Sequence, residues 1–344
     1  AGFVLANAVD SDSFTQMLAL AWLDVLLMAG AFYLLYRAFG FYPLMLALLF
    51  FGVNYTQRYQ HMSGSLLRLD WLACLLAGIA LLKMKRPCWA GFFLAYATLL
   101  RVFPLMYLAG FGFRFLYLFW RDRAIPRFEC KLLSASAATA LALFILTLFQ
   151  AGGLDTWKAF ADNIAPHSER LTVKRIAVIY PFIWAGEMNS GDIQLGAGGW
   201  EDFYAWRQHR LDQKQWIIQP LRLLVLAAVV YLSCRMRPWE TAVLGLALVY
   251  CFMNPARYYY AQLLVLVPLL TSDFQRRDYL VAHAALYGMC FLMFAVDLTT
   301  RFYNFQQFLM SAFVGLILLF LLVAKIMEYL RPVQPAEQVS CPMH

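Results

Sequence analysis

The sequence predicts an all-α, multi-pass membrane protein, and three observations lead to this fold class. The first is composition: of 344 residues, 62% are hydrophobic and 14% are charged, and the mean hydropathy is +0.62. Soluble domains average about 45–50% apolar and about 25% charged residues. The second is a succession of apolar segments, and the third is a set of basic clusters between them. We expect about eleven transmembrane or half-membrane helices with one large outer loop.

The apolar segments give the helices in chain order. They cover residues 14–39, 43–54, 66–82, 88–100, 103–119, 132–150, 217–233, 241–253, 258–271, 279–296 and 307–325. A helix needs about 20 residues to cross about 30 Å of hydrocarbon, so several of these segments are too short to cross alone. Segments 88–100 and 103–119 form one short pair, and 241–253 and 258–271 form another. Each pair is interrupted by an arginine and a proline, in Arg101-Val-Phe-Pro104 and in Asn254-Pro-Ala-Arg257.

Basic residues between the segments predict which side of the membrane each helix end faces. Five clusters carry them: Lys83, Lys85 and Arg86; Arg121, Arg123, Arg127 and Lys131; Arg235 and Arg237; Arg276 and Arg277; and Lys325 and Arg331. If all five face the cytoplasm, as the positive-inside rule requires, eleven crossings alternate without conflict. The N-terminal segment and the long loop before residue 217 then lie outside the membrane.

This topology divides the chain into four regions. Residues 1–150 hold the N-terminal membrane helices and an outer N-terminal segment, 151–216 form a Trp-rich extracytoplasmic loop, 217–330 hold the C-terminal membrane helices, and 331–344 form a cytoplasmic tail. The chain begins with Ala1, so either a signal segment was removed or a first part is missing. We favour a missing first part, because "AGFVLANAVDSD" has no recognisable mature-domain character.

Charge and cysteine content exclude several other classes of protein. The net charge of +8 follows from the loop topology, and no basic run is interleaved with exposed aromatic residues, so we expect no nucleic-acid partner. The seven cysteines are scattered without a CxxC pair and are interpreted as small buried apolar residues. Paired metal-ligand spacing, a glycine-rich phosphate loop and a nucleophile triad are all missing from the sequence. We therefore predict no metal and no cofactor.

The two interrupted pairs supply the first candidate binding residues. Arg101 and Arg257 lie at the breaks, on the predicted outer half of the membrane, and Tyr258 and Tyr259 follow directly. A guanidinium group binds phosphate through two parallel hydrogen bonds and keeps its charge when it is partly desolvated, so a lipid phosphate or pyrophosphate is a natural ligand. We expect both arginines to line one cavity that opens outward. The alternative is structural: either arginine caps carbonyls or pairs with a carboxylate such as Asp70 or Asp297.

The outer loop supplies further candidates. Its indoles fit either an interfacial aromatic belt or a platform for sugar rings, with Trp184 and Trp200 as candidate substrate contacts. The stretch from Trp157 to Tyr180 is typical of an amphipathic surface helix followed by a basic stretch near lipid head groups. There His167 is a candidate base or phosphate donor, although a lone loop histidine is more often neither. Arg170 and Lys174 are candidate substrate ligands. Asp10 and Asp12, before the first helix, are the candidate catalytic carboxylates, or else belong to a solvated turn.

The run from Ser63 to Gly110, "SGSLLRLDWLACLLAGIALLKMKRPCWAGFFLAYATLLRVFPLMYLAG", resembles polytopic C-type glycosyltransferases that use polyprenyl-phosphate sugars. It is most similar to the bacterial mannosyltransferase-type family that includes the phosphatidylinositol-mannoside mannosyltransferases. The shared features are a small-residue motif, a basic cytoplasmic turn, an Ala-Gly pair and a basic-x-x-Pro break. Here these are Ser63-Gly64-Ser65, Lys83–Arg86, Ala90-Gly91 and Arg101–Pro104. The stretch "NPARYYYAQLLVLVPLL" is similar to the family's later proline-containing aromatic segment.

The resemblance implies an activity, and three departures accompany it. It implies inverting transfer of a mannose-like sugar from a polyprenyl-phosphate donor to a lipid or glycan acceptor, at the outer face of a bacterial inner membrane. The family's Gly-Gln pair is replaced by Ser63-Gly64-Ser65, and its lysine before the proline by Arg101. Its catalytic aspartate follows the first helix, a region to which only Asp10 and Asp12 come close.

Two other functions remain open at this point. The chain could be a non-catalytic accessory subunit of a larger membrane complex, with partner subunits and membrane lipids around it. It could also be a lipid transporter or flippase, since an outward cavity with arginines fits that function too. The Trp-rich loop favours the enzyme, and the missing first segment favours the accessory subunit.

Overall fold

A computed structural model describes residues 14–55, 67–150, 153–169, 171–187, 199–273, 275–300 and 302–330. In these ranges the regular secondary structure is helical, with one isolated β-bridge between Arg175 and Ala256. The prediction of an all-α protein is therefore confirmed for the described residues.

The helices follow the predicted apolar segments. In chain order they are α1 (Phe14–Phe39), α2 (Phe41–Val53), α3 (Asp70–Lys83), α4 (Pro87–Leu100), α5 (Leu105–Asp122), α6 (Arg127–Gln150), α7 (Leu154–Glu169), α8 (Tyr180–Ile183), α9 (Gly199–Ser233), α10 (Pro238–Phe252), a 3₁₀ segment (Arg257–Val265), α11 (Leu266–Leu270), α12 (Arg277–Thr299) and α13 (Tyr303–Leu330).

Five of the described helices are long and apolar enough to cross a membrane. The qualifying stretches are Trp22–Phe39, Arg127–Phe149, Trp200–Ser233, Arg277–Thr299 and Tyr303–Leu330. Large apolar side chains on these helices face outward, as in Phe149 and Phe291, which are 84% and 75% exposed. Such outward-facing apolar surface is what contact with lipid requires. The other predicted segments form shorter helices, so the number eleven stays a prediction.

Two short helices form the centre of the molecule. Every residue of α3 from Asp70 to Leu82 is buried, and so is every residue of α10 from Trp239 to Cys251. A helix that is apolar on all sides is stable where other helices surround it. These two short apolar segments are thus central helices, and outward-facing apolar surface lies on other helices such as α6 and α12.

Close helix contacts depend on small residues. A Cβ atom on Gly245 of α10 would lie 2.5 Å from the Cα atom of Tyr107 in α5. A Cβ atom on Gly91 of α4 would lie 2.4 Å from the carbonyl oxygen of Leu132 in α6. Glycine at helix contacts of this kind lets backbones approach closely, as in other membrane helix pairs.

The predicted outer loop 151–216 contains more helix than the sequence indicates. Its first part forms α7, in agreement with the predicted surface helix, and residues 199–216 form the first half of the continuous helix α9. At 35 residues α9 is about 52 Å long, more than the hydrocarbon thickness of a membrane. The polar composition of 199–216 does not predict a helix. The residues that pack against the buried side chains of this part of α9 come from other parts of the chain.

Candidate functional site

A cavity of about 120 Å³ lies where the two helix breaks meet. Its lining residues are Arg68, Leu69, Trp71, Arg101, Tyr258 and Tyr259. They come from the start of α3, the break after α4 and the start of the 3₁₀ segment. The cavity has room for several water molecules or a small anion. The basic Lys83–Arg86 turn joins the other ends of α3 and α4 and is predicted to face the cytoplasm. The cavity therefore lies at the end of these helices that is predicted to face outward.

Arg101 occupies this cavity because the helix ends there. Helix α4 stops at Leu100, Arg101 has an extended backbone, and Val102 to Pro104 form a turn before α5. The Nη1 atom of Arg101 donates to the carbonyl oxygen of Leu100 at 2.8 Å. Within the described part of the chain, its buried Nε has no hydrogen-bond partner. A buried donor without an acceptor is costly, so the cavity is suited to an anionic oxygen.

An aromatic cluster forms the wall behind Arg101. Trp71, Phe103 and Tyr259 lie with ring centroids 5.0 to 5.7 Å apart, and the guanidinium carbon of Arg101 is 5.6 Å from the Tyr259 centroid. Tyr258 packs on Tyr259 at 4.3 Å. This packing holds the guanidinium against a ring face, as in a cation–π contact.

Asp70 lies behind the same wall. It is 5% exposed, accepts the backbone N–H of Trp71 at 2.7 Å, and is close enough to Arg101 for electrostatic attraction. The structural alternative for Arg101, in which it caps a carbonyl and is attracted by Asp70, therefore has contacts in its favour. These contacts leave the Nε atom of Arg101 without a hydrogen-bond partner among the described residues.

Arg257 turns away from this cavity. Its Nη1 donates to the Oε1 atom of Gln306 at 3.0 Å, its guanidinium lies 5.4 Å from the ring centroid of Tyr55, and Gln306 in turn donates to Asp297. The expectation that Arg101 and Arg257 line one cavity is wrong for this cavity, in which Arg257 takes no part. The 3₁₀ segment begins at Arg257, and the side chain of Arg257 contacts α13. The next two residues, Tyr258 and Tyr259, lie beside Arg101 instead.

The second helix break is covered by protein. The backbone N–H groups of Ile176 and Arg257 donate to the carbonyl oxygens of Pro255 and Lys174, at 3.3 and 2.7 Å. The Nη1 of Arg175 donates to the carbonyl oxygen of Asn254 at 2.7 Å. The segment after α7 thus supplies hydrogen bonds to the irregular backbone of this break. For the described residues, protein contacts accommodate the second break.

The remaining predicted residues of the outer loop lie apart from the cavity lining. Lys174 is exposed, and its carbonyl binds the backbone of Arg257. Trp184 stacks on Phe308 at 4.1 Å, and its Nε1 donates to the carbonyl of Glu187, so one face of the indole is already covered. Trp200 is 51% exposed and lies beside Tyr204.

Four predicted residues cannot be placed as side chains. Asp10, Asp12 and Arg170 lie outside the described residues, as does the Ser63-Gly64-Ser65 motif. His167 lies in α7, of which only the backbone is described at that position.

A buried arginine in α9, which the sequence did not single out, holds the segment after α7 in place. Arg207 is 1% exposed and donates to the carbonyl of Leu171 at 2.9 Å and to Gln307 at 2.7 Å. Its guanidinium also lies over the ring of Tyr180. Burial raises the pKa of Tyr180 to about 12, so the phenol stays protonated and donates to Asn254 at 2.7 Å.

Sequence reasoning also missed Arg68, Trp71 and the carboxylate of Asp24, which contacts the backbone before α3. Asp24 accepts the backbone N–H groups of Arg68 and Leu69 at 2.8 and 3.1 Å. The signal that could have found it was its charge within the apolar segment 14–39, since an ionisable residue inside a membrane helix is a candidate functional group.

Within the described ranges, no three His, Cys, Asp or Glu side chains group as a metal site would require. The expectation of no metal and no cofactor stays a prediction. No protein-family model, curated protein or solved structure matches the chain. A proposal for the function of this chain therefore rests on the geometry of the cavity and on the resemblance in the sequence.

Proposed function

We propose that the chain is a membrane glycosyltransferase that transfers a mannose-like sugar from a polyprenyl-phosphate donor to a lipid or glycan acceptor. The observation that supports this most is the cavity lined by Arg101, whose buried Nε has no hydrogen-bond partner among the described residues. The proposal includes about eleven transmembrane or half-membrane helices, an outward-facing site and a bacterial inner membrane.

In this proposal the reaction is a displacement at the anomeric carbon. The acceptor oxygen forms a bond to that carbon, the bond from the carbon to the phosphate oxygen breaks, and a carboxylate takes the acceptor proton. Negative charge develops on the departing lipid phosphate, and Arg101 stabilises it. Asp10 and Asp12 remain the candidate bases. Arg257 is assigned to holding Tyr55 and Gln306 in place.

The aromatic surroundings suit a lipid-linked substrate. Val102 and Leu105, beside the break, are 45% and 47% exposed, and Trp71, Phe103 and Tyr259 form the wall. An isoprenoid chain can lie along apolar surface of this kind while its phosphate meets the arginine. A nucleotide sugar has no such apolar part.

The test is sugar transfer in membranes that contain the chain. Labelled mannose is supplied as polyprenyl-phosphate mannose or as GDP-mannose, and lipid and glycan products are extracted and counted. We expect transfer from the lipid-linked donor alone. Absence of transfer from a panel of polyprenyl-phosphate hexoses would overturn the proposal.

An accessory subunit is the second candidate. It is favoured by the contacts that Arg101 and Arg257 already make with Leu100 and Gln306, since these give both arginines a structural use. It predicts that loss of either arginine lowers the amount of folded protein or of an assembled complex, while sugar transfer depends on another chain.

A further inference from the structure

The backbone before α3 is held in an unusual conformation beside the cavity. Leu67 has a φ angle of 52°, in the left-handed region that residues other than glycine, asparagine and aspartate rarely adopt. A conformation of this kind persists where the surrounding structure determines it, and it is common at ligand sites. Arg68 follows directly and lines the cavity together with Arg101.

Asp24 determines this conformation from another helix. Its two carboxylate oxygens accept the N–H groups of Arg68 and Leu69 at 2.8 and 3.1 Å, across 44 and 45 residues of sequence. Hydrogen bonds to an ionised acceptor are about twice as strong as neutral ones. Asp24 lies in the apolar stretch Trp22–Phe39, where a carboxylate is costly without a role. It thus fixes the point from which the Arg68 side chain reaches the cavity.

The cavity lining presents two cationic side chains. Arg68 and Arg101 are the charged residues among its six described lining residues, and the carboxylates of Asp24 and Asp70 are bound to backbone N–H groups next to them. A lipid-phosphate sugar is a phosphodiester with one negative charge. Once the sugar has left, the lipid phosphate is a monoester, whose second pKa of about 6 gives it close to two charges at neutral pH.

We propose that Arg68 is a second ligand of the lipid phosphate, positioned by Asp24, and that the arginine pair favours the departing monoester over the phosphodiester. This inference rests on the proposed function for the identity of the lipid. It makes Arg68 a contributor to leaving-group stabilisation, since an interaction that strengthens as charge develops lowers the barrier. Asp24 is a positioning residue, because it acts through the backbone of Arg68.

The experiment measures lipid binding by the full chain in phosphatidylcholine nanodiscs. The probe is tritiated undecaprenyl phosphate, displaced by the unlabelled monoester, by its methyl phosphodiester or by undecaprenol. We expect the monoester to bind more tightly than the phosphodiester and the alcohol to compete weakly. Arg68→Gln should weaken monoester binding roughly tenfold or more and phosphodiester binding less. Arg37→Gln is the matched control, since Arg37 packs on Tyr33 about 20 Å along α1 from Asp24.

The outcomes for Arg68 separate this inference from the proposed function. Binding by Arg68→Gln that equals wild type, or an equal loss for both esters, would overturn the inference. If sugar transfer occurs while Arg68→Gln binds normally, the inference fails and the proposed function stands. If monoester binding depends on Arg68 and no sugar is transferred, the phosphate site stands and the proposed function fails.

A double-mutant cycle tests the positioning role. Asp24→Ala should weaken monoester binding about as much as Arg68→Gln, and the double variant should bind no more weakly than either single variant. Asp24→Asn keeps one acceptor oxygen and should show a smaller loss, and it replaces Asp24→Ala in the cycle if that variant does not fold. Effects that multiply in the double variant would contradict positioning, as would unchanged binding by both Asp24 variants.

Discussion

Arg101 should matter as a planar group as well as a positive charge. Arg101→Lys keeps the charge but loses the bidentate hydrogen bonding that a guanidinium group offers to a phosphate. We therefore expect the rate of sugar transfer to fall at least tenfold. The folded protein should keep its thermal midpoint, because lysine keeps the positive charge that Asp70 attracts and a donor for the Leu100 carbonyl. Transfer assays and thermal unfolding of the same preparation check both expectations. A loss of transfer that only tracks loss of folded protein would make Arg101 structural.

Arg257 should behave in the opposite way. Its guanidinium binds Gln306 and lies over Tyr55, so Arg257→Ala removes contacts between the start of the 3₁₀ segment, α13 and the end of α2. We expect a loss of about 1–3 kcal/mol in stability, with donor binding per folded molecule little changed. Thermal unfolding and undecaprenyl phosphate binding of Arg257→Ala measure the two effects. Donor binding lost at full stability would return Arg257 to the site.

The sequence indicated which residues are candidates for the site, but it did not indicate which residues they contact. Charge inside an apolar run marked Arg101 and Arg257, and the tyrosines Tyr258 and Tyr259 were marked because they follow the second break. It could not give side-chain direction, which for Arg257 depends on Gln306, a residue of a helix that lies 49 positions away. Arg68 was missed because it stands at the edge of an apolar segment, where a basic residue is ordinary.

At the scale of helices, the contact between α5 and α10 leaves no space for a side chain at Gly245. Gly245→Ala would place Cβ 2.5 Å from the Cα atom of Tyr107, so the two helices must separate. We expect a loss of about 1–3 kcal/mol in stability. Gly112→Ala in α5 is the matched control, because its new Cβ would meet nothing within 4 Å and alanine favours the helix. Equal thermal midpoints for the two variants would contradict the close contact.

The apolar runs predicted where the helices lie, but they did not predict whether a segment is an α-helix or a 3₁₀ helix. Segments 14–39 and 88–100 became α1 and α4 almost unchanged, because apolar length and flanking charge determine where such helices end. Segment 258–271 became a 3₁₀ segment followed by the short helix α11, since hydropathy does not separate 3₁₀ from α geometry. Residues 199–216 became helical because α9 continues beyond the apolar part, with Arg207 buried against Leu171 and Gln307.

For the whole molecule, the topology predicts opposite labelling of two exposed positions. Cys88, an exposed native thiol beside the basic turn before α4, should react only with a reagent that reaches the cytoplasm. Gln208→Cys, at an exposed position in the first half of α9, should react from outside. Each is tested as the only cysteine, with a membrane-impermeant maleimide before and after permeabilisation. Labelling of both from one side would contradict the topology.

The central claim is that Arg101 stabilises the departing phosphate of a lipid-linked sugar donor. The most direct measurement is the rate of mannose transfer from polyprenyl-phosphate mannose in proteoliposomes that hold wild type, Arg101→Ala or Arg37→Ala at equal folded amounts. We expect Arg101→Ala to lose about 10²- to 10³-fold in rate, as loss of a donor to a developing anion does. Arg37→Ala should match wild type. Transfer at the wild-type rate by Arg101→Ala would contradict the claim.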